Sequence, residues 1–464
     1  MPPISPMADG HADFDVAVIG AGAAGLSAAR TLTARGVRVV VLEAASRVGG
    51  RVLHDAHFGK WPVELGPEFI HGEQHNRLLS LIRGGIATKP LADVVELEWP
   101  NYYWFNKEGR LLPAAEADEL ADVALMHDSF ERLAEMDVPP ASPAGEGEEQ
   151  TLLQYFASCG LSSRVLDLAD AIFANDYGAD MSDVGLHDVV HEQRNWKYGE
   201  KYLVLRGACL QDVMDHLADG LTIRTGWPVA QVRVLGGSAG GVQLSDAAGQ
   251  TVRARAAVVT VPLPVLQRED VKFTPPLPIT FTEAINKLHM GSALKIIVKL
   301  RNRFWPLDFY DAVCADSFIP EVWLSPPAEQ MKPDARGPFT MVGFVAGARS
   351  TRVANLPHAH IARQLLAQLD AMFGTQETPH PASDCCDGFL VKDWGSQPFV
   401  YGAYTHPTRG AHGQRQVLQN VAHDTIIFAG EACHENINPC IHGAMETGED
   451  AANRCMAILQ RSKL

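Results

Sequence analysis

The residue types with the most chemistry in them fall between residues 15 and 51. Asp15-Val-Ala-Val-Ile-Gly20-Ala-Gly22-Ala-Ala-Gly25 sets G-x-G-x-x-G directly behind an apolar run, and a second apolar run ends on Glu43, eighteen residues past Gly25. Gly20 allows a tight turn, Gly22 lets a pyrophosphate approach the backbone, and Gly25 lets a helix pack on a strand. The helix start offers free N–H groups and a positive dipole end to phosphates. Glu43 stands where a carboxylate can accept hydrogen bonds from a ribose 2′-OH, so the run predicts a dinucleotide site. Arg47-Val-Gly49-Gly50-Arg51 adds two more glycines and a guanidinium able to fork against phosphate oxygens. Taken alone, that run reads equally as a glycine turn with a surface arginine. His187-Asp188-Val-Val-His191 has a zinc spacing on a helix, but the motif wants glutamate second and a third ligand. Neither is evident, so no metal site is expected. Lys295 lies in an alternating strand-like run, and by pattern alone it is a solvent-exposed lysine on a half-buried strand.

The elements that must position these residues follow from the same patterning. A strand over Val16–Ile19, a small-residue helix from Leu26 to Ala34 and a strand over Val37–Leu42 form one unit. Val232–Val234 and Val242–Leu244 flank Gly236-Gly-Ser-Ala-Gly-Gly241, which reads as two strands and a flexible turn. Val138–Gln150 and Ser325–Asp334 read as loops from their Pro, Gly and charged content. A closing helix is expected over Gly443–Gln460.

The run through Arg51 resembles the cofactor-binding start of the flavin-dependent amine oxidase family, and further segments match in family order. Glu64-Leu-Gly66-Pro67-Glu68-Phe-Ile-His71-Gly72 resembles its second glycine segment, beside the isoalloxazine. Ala256–Leu266 resembles its strand-to-turn run, and Gly291-Ser-Ala-Leu-Lys295 the strand bearing a flavin-facing lysine. Phe428-Ala-Gly430-Glu431, then Asn438-Pro-Cys440-Ile441-His442-Gly443, resembles the closing motif, where a helix starts under the flavin. The resemblance implies an α/β fold: a Rossmann-like FAD-binding domain (residues 13–86, 201–273 and 391–464) interleaved with an α+β substrate domain (87–200 and 274–390). Residues 1–12 are expected to be a disordered tail.

The family likeness implies site residues one by one. Lys295 would hold a water beside flavin N5. His71 would lie near the substrate amines, with Glu68 either facing substrate or serving as a structural hydrogen-bonding carboxylate. Tyr404 would flank the substrate, its ring face stabilising an amine nitrogen. Gly20, Gly22, Gly25, Glu43, Arg51, Gly66, Pro67, Val229, Glu431, Cys440 and Ile441 would hold the cofactor. Backbone N–H groups over Cys440–His442 would face flavin N1 and O2, the dipole favouring the anionic reduced ring. Trp394 is either a neighbour of the ring or a core tryptophan. Two departures matter. Ala403 replaces the cysteine that links flavin in monoamine oxidases, so FAD should be noncovalent. Cys440 replaces the second tyrosine of their aromatic cage, leaving the substrate position incomplete.

The activity implied is oxidation of polyamines, spermine, spermidine or acetylated forms: hydride transfer to flavin N5, imine hydrolysis, and reoxidation by O2 to hydrogen peroxide. Monoamine oxidase-like, L-amino-acid oxidase and non-catalytic flavin-binding alternatives stay open. Pro67-Glu68-Phe69 offers no arginine for an amino-acid carboxylate.

Whole-chain properties narrow the classes. At 464 residues, two to four domains are expected. The net charge of −16 argues against nucleic acid or anionic membranes as partners; it is compatible with steering a polycationic amine substrate inward, but many soluble enzymes are equally acidic and the charge alone decides nothing. No run of apolar residues is long enough to span a bilayer. The first residues lack the basic and apolar regions of a secretory signal, so the eight cysteines are expected to be reduced and mostly buried. Ser462-Lys463-Leu464 reads as a peroxisomal import address for its receptor. Peroxisomal location is therefore expected, or cytoplasmic if the source is bacterial.

Overall fold

The computed structural model describes residues 12–84, 91–137, 149–236, 240–437 and 439–461. The expected N-terminal tail up to residue 11, most of the loop over Val138–Gln150, Asn438 and Ser462-Lys463-Leu464 lie outside the described residues.

Two sheets organise the chain. In the first, Phe14–Ile19 lies between Val39–Leu42 and Thr251–Val259, all parallel, in register Val16↔Val39 and Ile19↔Leu42 on one side, Val16↔Ala256 and Ile19↔Val259 on the other. Ile223–Arg224 extends one edge. On the other edge Thr251–Val259 pairs antiparallel with Val242–Asp246 through its first half and parallel with Ile426–Phe428 through its second. The central strands are continuously apolar because one face packs on the helices Ala23–Ala34 and Ile441–Arg461 and the other on Trp227, Val229, Leu244 and Phe281, leaving no solvent side to alternate toward. Val39–Leu42 is buried along its whole length.

The helix Ala23–Ala34 packs against the closing helix Ile441–Arg461. Small residues make that approach possible: a Cβ on Gly448 would stand 2.2 Å from the Ala24 carbonyl oxygen. The first helix begins three residues and the closing helix two residues before the expected starts at Leu26 and Gly443. Val229–Val234 and Val242–Asp246 form the antiparallel pair expected around the glycine turn.

The second sheet has seven strands, in the order Cys386–Asp393, Ala293–Leu300, Phe339–Ala346, Glu321–Leu324, Asp311–Ala315, Tyr102–Phe105, Arg110–Pro113. The 16-residue helix His358–Phe373 covers one of its faces through Ile361, Leu365 and Leu369. A helical cluster spanning residues 114–195 packs beside the Tyr103 and Val313 strands. Among the described residues, no helix is long and apolar enough to cross a membrane. All eight cysteines are free thiols, five buried and three half-buried.

Candidate active site

The parallel strands of the first sheet end together, and the residues that follow them face one cavity of about 970 Å³. Gly20 follows Ile19, Glu43 follows Leu42, Thr260 follows Val259, and Gly430-Glu431 follow the strand ending at Phe428; all line it. Ligands of open parallel sheets sit at this carboxyl edge. The cavity runs on to the second sheet, where Lys295, Glu321 and Trp323 close it.

The three fingerprint glycines hold distinct places. Gly20 has φ +102°, outside the range of ordinary side chains. A Cβ on Gly22 would meet nothing within 4 Å, so the backbone there is open to a bound group. A Cβ on Gly25 would stand 2.0 Å from the Gly20 carbonyl oxygen, so Gly25, which does not line the cavity, seats helix on turn. Gly25→Ala is therefore expected to cost about 1–3 kcal/mol by overpacking. Differential scanning calorimetry checks this, with a lower flavin content of the purified protein as the companion readout.

Glu43 is fixed at both oxygens, accepting from Ala21 N (2.6 Å) and Ala45 N (2.8 Å), which ties the acid to the glycine turn. Arg47 donates to the carbonyls of Val48, Gly50 and Val52 and so staples the Gly49-Gly50 turn. A Cβ on Gly50 would lie 3.3 Å from Gly22 Cα, which brings the two glycine runs together. Arg51 donates to the Ala403 carbonyl (2.7 Å) and to Glu431 Oε1 (2.9 Å), while Glu431 Oε2 accepts from Thr405. Burial works to raise the Glu431 carboxyl, but Arg51 and Arg415 hold it below its ordinary value. Arg51 and Glu431 thus form the floor joining Ala403 to the sheet edge. Gly66, Pro67, Val229, Cys440 and Ile441 line the same cavity. A Cβ on Gly66 would stand 2.0 Å from the Arg51 carbonyl oxygen. Cys440 is half-buried and immediately precedes the helix Ile441–Arg461. His442, in that helix's first turn, is buried, with Nε2 lacking a hydrogen-bond partner among the described residues. Trp394 is buried, donates to the Leu65 carbonyl (2.8 Å) and lines the cavity.

Lys295 is 4% exposed, which overturns the solvent-exposed strand reading. Its strand is second from one edge of the seven-stranded sheet, and both faces are covered, one by the helix His358–Phe373 and the other by Val63, Leu65 and Phe69. Its Nζ donates to the Glu64 carbonyl (3.0 Å), and burial lowers its pKa. Glu68 accepts from Trp323 Nε1 (2.7 Å) and Ser325 Oγ (2.8 Å). Of its two expected roles, the structure gives it the hydrogen-bonding one, in a wall of the cavity. His71 meets Tyr202 edge-on at 5.0 Å, and burial depresses its pKa to about 4, so the ring is neutral at physiological pH. Tyr404 donates its hydroxyl to the Asn175 carbonyl.

Asn175 gathers a constellation that the sequence did not disclose. Besides accepting from Tyr404, it donates to Glu321 Oε2 (3.3 Å). Trp99 Nε1 donates to Glu321 Oε1 (3.3 Å), and Trp99 stacks on Tyr202 at 5.1 Å, completing a wall back to His71. The next residue, Asp176, faces the cavity. A π-helical turn over Asp170–Ala174 immediately precedes this pair, the kind of widened turn that often marks functional sites. The Asp176 side chain is accessible from the open cavity, yet the protein atoms crowded around it desolvate the charge and, with the Glu321 charge adding, raise its pKa to about 8. Burial raises Glu321 to about 7, against the hydrogen bonds from Trp99 and Asn175. Two carboxylates therefore share the Tyr404 end of the cavity. A lone carboxylate in a largely apolar run was the available signal for both, Glu321 in Pro320-Glu-Val-Trp-Leu324 and Asp176 in Ala171-Ile-Phe-Ala-Asn-Asp-Tyr177.

The sequence matches the model of the flavin-containing amine oxidoreductase family over residues 23–456, nearly the whole chain. The chain belongs to that family. It is 30% identical over 463 residues to polyamine oxidase 2 of Arabidopsis thaliana, covering 96% of this chain and 89% of the relative. It is 27% identical to lysine-specific histone demethylase 1B of Mus musculus, of whose length it spans only 53%. Among solved structures it is similar to cyclohexylamine oxidase from Brevibacterium oxydans, with TM-score 0.78 at 23% identity over 97% of this chain and all of that one. Putrescine oxidase bound to putrescine matches at TM-score 0.78 and 19% identity, covering 96% and 99%. The amine oxidase fold and an enzymatic, flavin-dependent amine oxidation follow. The residues present fit the flavin: an open glycine turn, a helix start with an orphaned buried His442 nitrogen, and a long cavity joining them to Lys295.

The pair singled out for its zinc spacing does other work. His191 Nε2 pairs with Asn436 Oδ1 (2.9 Å), and His187 Nδ1 lies 3.9 Å from Glu149 Oε2. Among the described residues, no group of three or more His, Cys, Asp or Glu is placed to hold a metal ion.

Proposed function

We propose that this protein oxidises polyamines such as spermine or spermidine with noncovalently bound FAD. The observation that supports this substrate class is the carboxylate pair Asp176 and Glu321 at the Tyr404 end of the cavity. A linear polyamine presents one nitrogen for oxidation and further ammonium groups that need anionic partners, which these two supply. Bound, the flavin supplies a two-electron acceptor whose reoxidation by O2 yields hydrogen peroxide. The chain orients the amine: the Tyr404 ring offers its negative face to nitrogen, the neutral His71 can accept a proton, and Lys295 retains N–H donors to hold a water. With Ala403 in the linking position, no thiol is offered there for a covalent bond to the flavin.

An amino-acid substrate fits less well. The arginines lining the cavity, Arg47 and Arg51, are committed to backbone carbonyls and Glu431, and Lys201 pairs with Glu96 (2.6 Å). Among the described residues, no guanidinium is left at the Tyr404 end to clamp a carboxylate.

The test is an anaerobic absorbance spectrum of the flavin-bound protein before and after spermine. Bleaching of the oxidised bands supports the reading; unchanged bands move it to a smaller or aromatic amine.

Activity should climb with pH. Only about one per cent of an aliphatic amine is neutral at pH 8. Asp176 and Glu321, raised to about 8 and 7, gain their charge over the same interval. Both effects favour alkaline pH, so kcat/KM for spermine is expected to rise roughly tenfold or more from pH 6 to 9. A flat profile would refute the requirement for a neutral reacting nitrogen.

A further inference from the structure

Lys295 and Glu68 face each other with both side chains buried, 5% and 4% exposed, and their charged atoms 3.8 Å apart. That separation is too long for a hydrogen bond, and something must hold the carboxylate there. Trp323 Nε1 fixes one Glu68 oxygen and Ser325 Oγ the other. The same Trp323 offers its ring to the Lys295 ammonium, with Nζ 5.0 Å from the centroid. Nζ donates to the Glu64 carbonyl and keeps two further N–H bonds. Glu68 is thus clamped by one strand, and Lys295 is suspended between it and the cavity.

We propose that Glu68 is the positioning residue for Lys295: its clamped carboxylate keeps Lys295 an ammonium and aims the N–H bonds that Glu64 leaves free.

Every charged neighbour enters the balance. Glu64, whose Oε1 is taken by Leu210 N (2.7 Å), faces Lys295 from the strand Val63–Glu64. Glu321 faces it from the strand of Trp323. Asp212 and the Cys209 thiol lie behind Glu64. On the adjacent strands Phe344 and Lys392 stand in register with Lys295. Phe344 is apolar, and the Lys392 ammonium is drawn off to Gln397 and the Trp394 ring. Burial pulls the Lys295 pKa down, and Glu68 is the strongest of the charges that oppose it. An opposite charge at this range is worth about 1–3 pKa units. Removing it moves the lysine toward the neutral amine, which has lost a proton and a fixed direction.

The inference rests on the flavin site of the family and not on which amine is oxidised, so its test uses no substrate. The flavin-bound protein is titrated from pH 6 to 10, and the pH-dependent displacement of the oxidised flavin absorbance is followed. Lys295→Met should abolish the midpoint and so identify the titrating group. Glu68→Gln should lower the midpoint by about one unit or more. Glu68→Asp, which restores the charge, should bring most of it back. Ser325→Ala, which frees one carboxylate oxygen and leaves the charge, should shift the midpoint less than Glu68→Gln and guards against misfolding of the latter. An unmoved midpoint in Glu68→Gln, a midpoint that survives Lys295→Met, or a wild-type spectrum flat across the range would each overturn the assignment. Failure of spermine to bleach the flavin would bear on the substrate and leave this result standing.

Discussion

Asp176→Asn is expected to raise KM for spermine roughly 10- to 100-fold, with kcat changed far less. The Asp176 side chain is exposed to the cavity, and no hydrogen bond among the described residues engages it, so at pH 9, above its raised pKa, its charge is available to a ligand and the comparison is made there. A hydrogen bond to a charged group contributes about 1.5–3 kcal/mol, which sets the size of the effect. An ammonium remote from the reacting carbon binds equally in ground and transition states, so its loss appears in KM. Glu321→Gln should act in the same direction but less, because Trp99 and Asn175 already occupy its oxygens. The two residues are electrostatically linked, so the double variant should fall short of the sum. A monoamine such as benzylamine supplies the control, since it has no second ammonium to lose. Equal losses for spermine and benzylamine would mean that Asp176 shapes the cavity and does not read a distant charge.

The parts of this site that were legible in sequence are those where backbone chemistry dictates a residue type. Gly20 needs a positive φ and Gly25 a close backbone contact; both constraints act over a few residues, so a local pattern exposes them. Glu43 was legible for its position, though its two backbone partners, Ala21 and Ala45, show it bracing the turn as well. Lys295 shows the reverse. Strand alternation assigns it a wet face, and only the segment Val63–Phe69, laid across that face of the sheet, takes it away. Asp176 and Glu321 meet through Asn175, 146 residues distant from Glu321 in sequence. No periodicity reports such a meeting, because it is fixed by how the helical cluster docks on the second sheet. Glu68 was ambiguous for the same reason: its partners Trp323 and Ser325 lie more than 250 residues away.

Lys295→Met should reduce kcat/KM for amine oxidation by about 10²- to 10⁴-fold, the range for a lost proton-handling group. It should also destabilise the protein in a pH-dependent way, which separates its electrostatic role from its packing. Methionine fills similar volume, so the cavity term is small. The lost cation leaves Glu64 and Glu68 facing each other. Burial already holds both carboxyls above the ordinary carboxylate value, and Lys295 opposes that rise in each. Without it the folded-state values climb further. A carboxyl whose folded value exceeds its unfolded one contributes stability below the unfolded value, and that contribution is lost as pH rises through the folded value. At pH 6 the variant can take up protons and lose little. At pH 9 it must ionise buried groups that have lost their counter-cation, a situation worth about 3–5 kcal/mol. The Tm difference between wild type and Lys295→Met should therefore widen from pH 6 to 9 in scanning calorimetry of the flavin-bound proteins. A constant difference would show that Lys295 is held there by packing alone, and that the carboxylates find their compensation elsewhere.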